Sequence, residues 1–270
     1  LQLYPVSDHK RSLKGLYTDL KLNEQAEVGN VLIYSNYIAS IDGRISIRDS
    51  DSDEFIVPEA IANPRDWRLY QELAAQADVM LTSARYFRQL ARGKAQDLLP
   101  VGSTSAYADL REWRIRRGLE PQPDVMVISN SLDIPSAALE SVQQDRRVIM
   151  VSSEQANTDR VARLESLGVT VLIAGPDRVG GLELKQLLVD QGFRSAYMIA
   201  GPQVHRTLIA DGVLDYMFLT THLSLLGEDS FHTILSGELE QAVCLQLCRL
   251  YLDQCAAPGQ LFAQFALHPD

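Results

Sequence analysis

The fold is decided by the stretch Val148–Ile173, VIMVSSEQANTDRVARLESLGVTVLI. It opens on the apolar run Val148–Val151 and closes on Val169–Ile173, each of strand length. Between them Thr158–Leu167 has helical spacing and is stopped by Gly168, which accommodates the left-handed conformation that ends many helices. A strand, a helix and a strand in one unit predict two parallel strands joined by a crossover helix. The same grammar extends outward. Val125–Ile128 precedes the unit, and Leu182–Gln191, stopped by Gly192, leads to Ala196–Ile199 beyond it. Gly201-Pro202 then opens a helix over Gln203–Ala210, ahead of a strand at Tyr216–Thr221.

Toward the N-terminus the first strand is expected over Val31–Ala39, followed by an acidic loop at Asp49–Glu54. A helix starts at Asn63-Pro64-Arg65-Asp66, with Asn63 as cap, Pro64 at the first helical position and Asp66 facing the positive end of the dipole. Trp67, Tyr70, Leu73, Ala74 and Ala77 form its apolar stripe. A buried strand at Val79–Leu81 ends on Thr82-Ser83 and leads to a helix over Tyr86–Ala91. Gly93–Pro123 is irregular except for a helix over Asp109–Gly118. At the C-terminus Val243–Leu252 and Leu261–Leu267 alternate apolar and polar residues around Ala256-Ala257-Pro258-Gly259, a β-hairpin signal. The expected fold class is therefore α/β, with a mixed, mostly parallel central sheet flanked by helices and a C-terminal antiparallel hairpin. Residues 1–29 read as an N-terminal arm and 30–270 as a single domain, since no Pro-, Gly- or Ser-rich linker divides them.

Composition narrows the function. Hydrophobic residues make up 46% and charged residues 22%, so the chain can bury a core without staples. A formal net charge of -10 opposes duplex nucleic-acid binding, which needs clustered cations. The one dense basic group, Arg111, Arg114, Arg116 and Arg117, has the spacing of a solvated helix face, although it can also meet a phosphate. No apolar run reaches the roughly 18 residues of a membrane helix, and no signal-peptide pattern occurs, which points to the cytoplasm and to no membrane partner. Cys244, Cys248 and Cys255 lack metal-ligand spacing and read as reduced, packing cysteines, with a Cys244–Cys248 redox pair as the alternative. His9, His205, His222, His232 and His268 are scattered, so no metal site is expected. His205 reads as a surface helix histidine or, one turn into its helix, as a phosphate contact.

No GxGxxG, GxxxxGK[ST] or GxSxG motif occurs. The candidate chemistry lies where strands end. Tyr34–Ile45, YSNYIASIDGRI, runs out at Asp42-Gly43, which either aims a carboxylate at a ligand or makes a hairpin turn in which Asp42 bonds only its own backbone. Thr82-Ser83, Ser129-Asn130, Ser152-Ser153, Gly175 and Gly201 also follow apolar strands, and such ends commonly line one crevice. Thr82 and Ser83 either bond a cofactor or cap the helix that follows. Ile199-Ala200-Gly201-Pro202-Gln203 brings a helix N-terminus to the end of a strand, where backbone N–H groups attract phosphate.

These motifs in this order resemble the riboflavin-biosynthesis pyrimidine reductases, of dihydrofolate-reductase-like fold. The resemblance rests on SxDGR (Ser40, Asp42, Gly43, Arg44), the segment Ala77–Ser83, VISNSLDIP at Val127–Pro135, Gly168–Ile173, the Gly201 turn and DGVLDYMFLTTHLSLLGED at Asp211–Asp229. It spans Val31–Leu267. It implies an NADPH-dependent reductase acting on a nucleotide-like small molecule, a ribosylamino-pyrimidine phosphate, in a homodimer. Asp42 would be catalytic, orienting or protonating the substrate, and Asn36, Ser40 and Arg44 would bind it. Thr82, Ser83, Ser129, Ser152, Gly201, Pro202, Gln203 and Val204 would hold the cofactor, the amides of Gln203 and Val204 meeting its pyrophosphate. Two segments depart from the family pattern. Ala200-Gly201-Pro202 replaces an acid with two glycines, and Arg85-Tyr86-Phe87-Arg88-Gln89 replaces the threonine and Asp-Asp-Pro segment, with Tyr86 where a small hydroxyl is usual. The paired H-x-E and P-C-x-x-C of the companion deaminase does not occur in these residues. Two rival functions follow: a reductase fold with a degenerate site serving as a nucleotide-binding or assembly module, and a reductase of another pterin or nucleotide-like substrate.

Overall fold

The computed structural model describes residues 1–7, 10–50 and 54–267. His9, His268 and the middle of the expected Asp49–Glu54 loop lie outside them. In chain order the first elements are β1 (Gln2–Tyr4), β2 (Leu32–Ser40), β3 (Ser46–Arg48), β4 (Phe55–Ile56) and α1 (Pro64–Ala74). Next come β5 (Val79–Ser83), α2 (Ala84–Ala91), α3 (Ala108–Arg116), β6 (Asp124–Ile128), α4 (Ser136–Gln143) and β7 (Val148–Ser152). Then follow α5 (Thr158–Ser166), β8 (Thr170–Ile173), α6 (Gly181–Asp190), β9 (Ser195–Met198) and α7 (Pro202–Ala210). The last are β10 (Tyr216–His222), β11 (Phe231–His232), β12 (Gln246–Asp253) and β13 (Gln260–Ala266). This is the expected mixed α/β class, mostly parallel, with an antiparallel hairpin of β12 and β13 at the C-terminal end.

The chain forms two compact units and passes between them after Leu20, Leu32, Glu72 and Ala200. The second unit, Lys21–Leu32 and Leu73–Ala200, holds parallel strands in the order β9-β5-β6-β7-β8. Val79–Leu81, Val125–Val127 and Val148–Val151 are all buried, as strands covered on both faces must be, which is why they read as unbroken apolar runs. Each such side chain contributes roughly 1.5–3 kcal/mol of burial. Asn157 caps α5 by accepting from the Arg160 N–H at 3.0 Å.

In the first unit, Leu1–Leu20, Ile33–Glu72 and Gly201–Asp270, the strand order is β1-β12-β13-β10-β2. Here β10 runs parallel to β2, with Tyr216 opposite Tyr34 and His222 opposite Ser40, and antiparallel to β13. A small antiparallel sheet, β11-β3-β4, adjoins the chain after Gly43. The Asp42-Gly43 turn closes locally, the Ser40 N–H donating to the Arg44 carbonyl at 3.0 Å, but it joins no β-hairpin, because β3 pairs with β11 and β4. Asn63 caps α1, its Oδ1 accepting from the Arg65 and Asp66 N–H groups at 3.1 and 3.0 Å. The N-terminal arm is tied down by Glu72, fully buried, whose carboxylate accepts from the N–H groups of Gly15 (2.7 Å) and Tyr17 (2.8 Å) and pairs with Arg68 at 2.9 Å. A buried carboxylate is tolerated where it is so fully partnered.

Several expectations are corrected. Arg114 is not on a solvated face: it is 1% exposed, and its guanidinium donates to the carbonyls of Ala75 (3.0 Å), Ala77 (2.7 Å) and Glu120 (2.7 Å), closing the C-terminal end of α1. The three cysteines are free, but Cys244 and Cys255 are exposed rather than packed. Asp66 does more than face a dipole. It is buried, and desolvation raises its carboxyl pKa to about 6 against a hydrogen bond from Thr220. Among the described residues no helix is long and apolar enough to cross a membrane.

Candidate functional site

In the first unit β2 ends on Ser40, and Gly43 supplies the positive φ of 83° that the turn requires. Asp42 sits at the centre of a closed network. Its carboxylate accepts from the Ser40 hydroxyl, from Arg44 Nη1 at 2.6 Å, and from the N–H groups of Leu226 (3.1 Å) and Gly227 (3.0 Å). The Ser40 hydrogen bond foremost, then the Gly227 and Leu226 amides and the Arg44 charge, lower its pKa to about 2. Arg44 in turn donates from Nε to the Glu228 carbonyl at 2.8 Å and lies over the Phe231 ring, 4.2 Å from its centroid. The alternative in which Asp42 bonds only its own backbone is thus excluded. It clasps a segment 184 residues away in sequence, and at neutral pH it is a carboxylate with no proton to give.

Two groups beside this network remain unengaged. Asn36 lies four residues before Ser40 on the same face of β2, half-buried, with no side-chain hydrogen bond among the described residues. Arg44 Nη2 likewise has no partner there. The opposite face of β2 packs on α7. His205 of α7 is wholly buried, Nδ1 donating to the Ile234 carbonyl at 2.7 Å and Nε2 accepting from the Ser35 hydroxyl at 3.1 Å, with the Tyr37 ring 4.8 Å away. Burial lowers its pKa to about 4, so it is a neutral structural residue, neither a surface histidine nor a phosphate contact.

At the start of α7, Gly201 is the N-cap with φ at -70°, and a Cβ built there meets nothing within 4 Å. Neither conformation nor packing within the protein calls for glycine. Pro202 follows at the first helical position. The Val204 amide, expected to face a pyrophosphate, instead donates to the Gly201 carbonyl at 3.1 Å, and Gln203 N–H is the one left unengaged among the described residues.

In the second unit the hydroxyl candidates share the carboxyl edge of adjacent parallel strands. Thr82 and Ser83 end β5, with Ser83 opposite Ile128. Ser129 follows β6 and donates its N–H to the Val151 carbonyl at 2.9 Å, and Ser152 ends β7. Ser83 stands at the N-cap of α2, yet its side chain makes no capping bond. Ser129 Oγ accepts from the Leu132 N–H at 2.9 Å and so shapes its own turn. Ser152 and Ser153 are different: both are fully buried, and neither hydroxyl has a partner among the described residues. An unpaired buried hydroxyl costs roughly 1–3 kcal/mol, so the two at this strand end call for a polar partner, a bound water or a ligand group. Ser153 shares this position with Ser152, and its signal in the sequence is the repeated serine at a strand end. Tyr86 turns inward, 7% exposed and edge-on to Phe87, with burial raising its hydroxyl pKa.

Taken unit by unit, the second unit's edge of hydroxyl residues offers donors of the kind a nicotinamide dinucleotide's ribose needs, and the first unit's bare glycine at a helix N-terminus offers the close backbone approach its phosphates need. Known structures share this architecture. A pyrimidine reductase-like protein from Corynebacterium diphtheriae superposes with a TM-score of 0.70 at 17% identity, covering 96% of this chain and 100% of that one. The riboflavin biosynthesis reductase Rib7 of Saccharomyces cerevisiae gives 0.59 at 14% identity, covering 95% and 97%. RibD of Acinetobacter baumannii gives 0.60 at 16% identity, where 89% of this chain corresponds to 58% of that one. The family model described as the RibD C-terminal domain matches residues 31–257, and the chain belongs to that family.

Proposed function

We propose that the chain is an oxidoreductase of the riboflavin pathway that uses NADPH to reduce 5-amino-6-(5-phosphoribosylamino)uracil to its ribitylamino form. The observation that carries this reading is the pair of orphaned hydroxyls at Ser152 and Ser153 on the carboxyl edge of a family-matched reductase domain. NADPH, when bound, supplies the hydride that reduces the sugar carbon of the ring-opened imine. The protein's tasks are binding, alignment and exclusion of water. Ser152 and Ser153, with Thr82 and Ser83, donate to the cofactor, and Gly201 with the Gln203 amide receives its pyrophosphate. Asn36 and the free Nη2 of Arg44 bind the substrate, Arg44 meeting its phosphate. Asp42 orients Arg44 and the 226–228 segment, and Ser40 holds Asp42. The proton that balances hydride addition comes from a group other than Asp42, which stays ionised down to pH about 2.

Loss of NADPH absorbance with the ribosylamino-pyrimidine phosphate as substrate is the expected result. NADPH binding without turnover of that compound would contradict the substrate, and would instead favour the degenerate-site module or a different imine. We also propose a homodimer, for which light scattering should give about twice the chain mass of 30.1 kDa; a mass of one chain would contradict it.

A further inference from the structure

The amino edge of the second unit, the end of the strands opposite Ser83, Ser129 and Ser152, carries a cleft of about 550 Å³. Its walls include Asn23, Trp113, Arg116, Arg117 and Arg194. It lies one strand length, roughly 15 Å, from the carboxyl edge, because Asp78 directly precedes β5 and Arg194 directly precedes β9. Ligand pockets commonly occupy about 300–1,000 Å³, so the cleft has room for a small metabolite.

Its charge is opposite to that of the chain, whose formal net charge is -10. Two acids line it, and both are committed. Asp78 Oδ2 accepts from the backbone N–H groups of Arg194 (2.8 Å) and Ser195 (3.0 Å), and Glu24 pairs with Arg117. Arg117 also lies over the Trp113 indole, 4.4 Å from the ring centroid, which fixes the wall. Arg194 uses Nη2 on the Ala26 carbonyl at 2.8 Å and has no carboxylate partner among the described residues. Arg116 reaches Glu112 only at 3.5 Å, with both side chains about two-thirds exposed, and such a pair contributes little. Two guanidinium groups thus remain for an anion, and their forked donors match phosphate bidentately. A second observation is independent of charge. Asn23 Oδ1 is buried and has no donor among the described residues, so the wall offers an acceptor as well as cations.

We propose that this cleft is a second ligand site, separate from the reductase site, for a small phosphate ester that also carries a hydroxyl or N–H donor. Arg116 and Arg194 hold the phosphate, Asn23 takes the donor, and Trp113 with Arg117 forms the flat wall. The chain has two tryptophans, so a Trp67→Phe variant leaves Trp113 as the reporter. AMP and ribose 5-phosphate are titrated against its fluorescence, with inorganic phosphate alongside, and calorimetry on the unsubstituted chain repeats the measurement without relying on that variant. Saturable binding of at least one ester is expected, weakened about tenfold or more by Arg116→Glu and by Arg194→Ala. The tighter ester tells whether base or sugar is recognised. No saturable binding up to about 10 mM, equal affinity in both arginine variants, or inorganic phosphate binding as tightly as the esters would each overturn the proposal.

Discussion

At the scale of single residues, Asp42 and Asp66 are two carboxylates with opposite environments. Asp42 is surrounded by donors and held near pKa 2; Asp66 is buried and raised to about 6. Their effects on stability run in opposite directions. For Asp66 the folded pKa exceeds the unfolded value, so its favourable contribution is full below pH about 4 and is lost as pH rises through about 6. The difference of about two pH units corresponds to roughly 3 kcal/mol. Thermal unfolding should therefore show Asp66→Asn gaining stability relative to the parent chain between pH 4 and 7; a constant difference across that range would count against a protonated buried Asp66. For Asp42 the contribution is present above pH about 4 and disappears as pH falls through about 2. Asp42→Asn keeps an acceptor for the Leu226 and Gly227 amides but removes the charge that orients Arg44. Steady-state kinetics should show turnover reduced by about 100-fold, the order expected for misplacing a bound substrate. Unchanged turnover would remove Asp42 from the site.

At the scale of elements, the strands and longer helices were legible because their burial is written as local periodicity. Val148–Val151 and Val125–Val127 are unbroken apolar runs for the same reason that they are buried on both faces. The elements without such a local signal are short or depend on distant partners. Helix α4, SAALESVQ, is eight residues long, with only Ala138, Leu139 and Val142 buried. Strand β1 exists because β12 is there to pair with it, and β3 because β11 and β4 are. The site shows the same division. The strand-end positions of Asp42, Ser83, Ser129 and Ser152 follow from the strands themselves. What each side chain does there was not legible. The Asp42 clasp on Leu226 and Gly227, the Val204 amide turned back to Gly201, and His205 enclosed between Ser35 and Ile234 all depend on tertiary contacts. Arg114 is the clearest case: its spacing matched a solvated helix, and its burial follows from the unpaired carbonyls at the end of α1.

At the scale of the whole molecule, a chain of net charge -10 belongs to the RibD C-terminal domain family and turns into α7 on Ala200-Gly201-Pro202, with no acid and no basic side chain in that turn. The proposed function requires this turn to receive NADPH. Gly201→Val is the most direct probe, because the φ of -70° suits any residue and a Cβ there meets no protein atom within 4 Å, so its structural cost is that of a poorer N-cap, about 1 kcal/mol. NADPH titration followed by nicotinamide fluorescence should give saturable binding to the parent chain and binding at least about tenfold weaker to Gly201→Val, whose melting temperature falls by only about 2–4 °C. No binding at millimolar NADPH, or equal affinity in the two proteins, would contradict cofactor binding at Gly201.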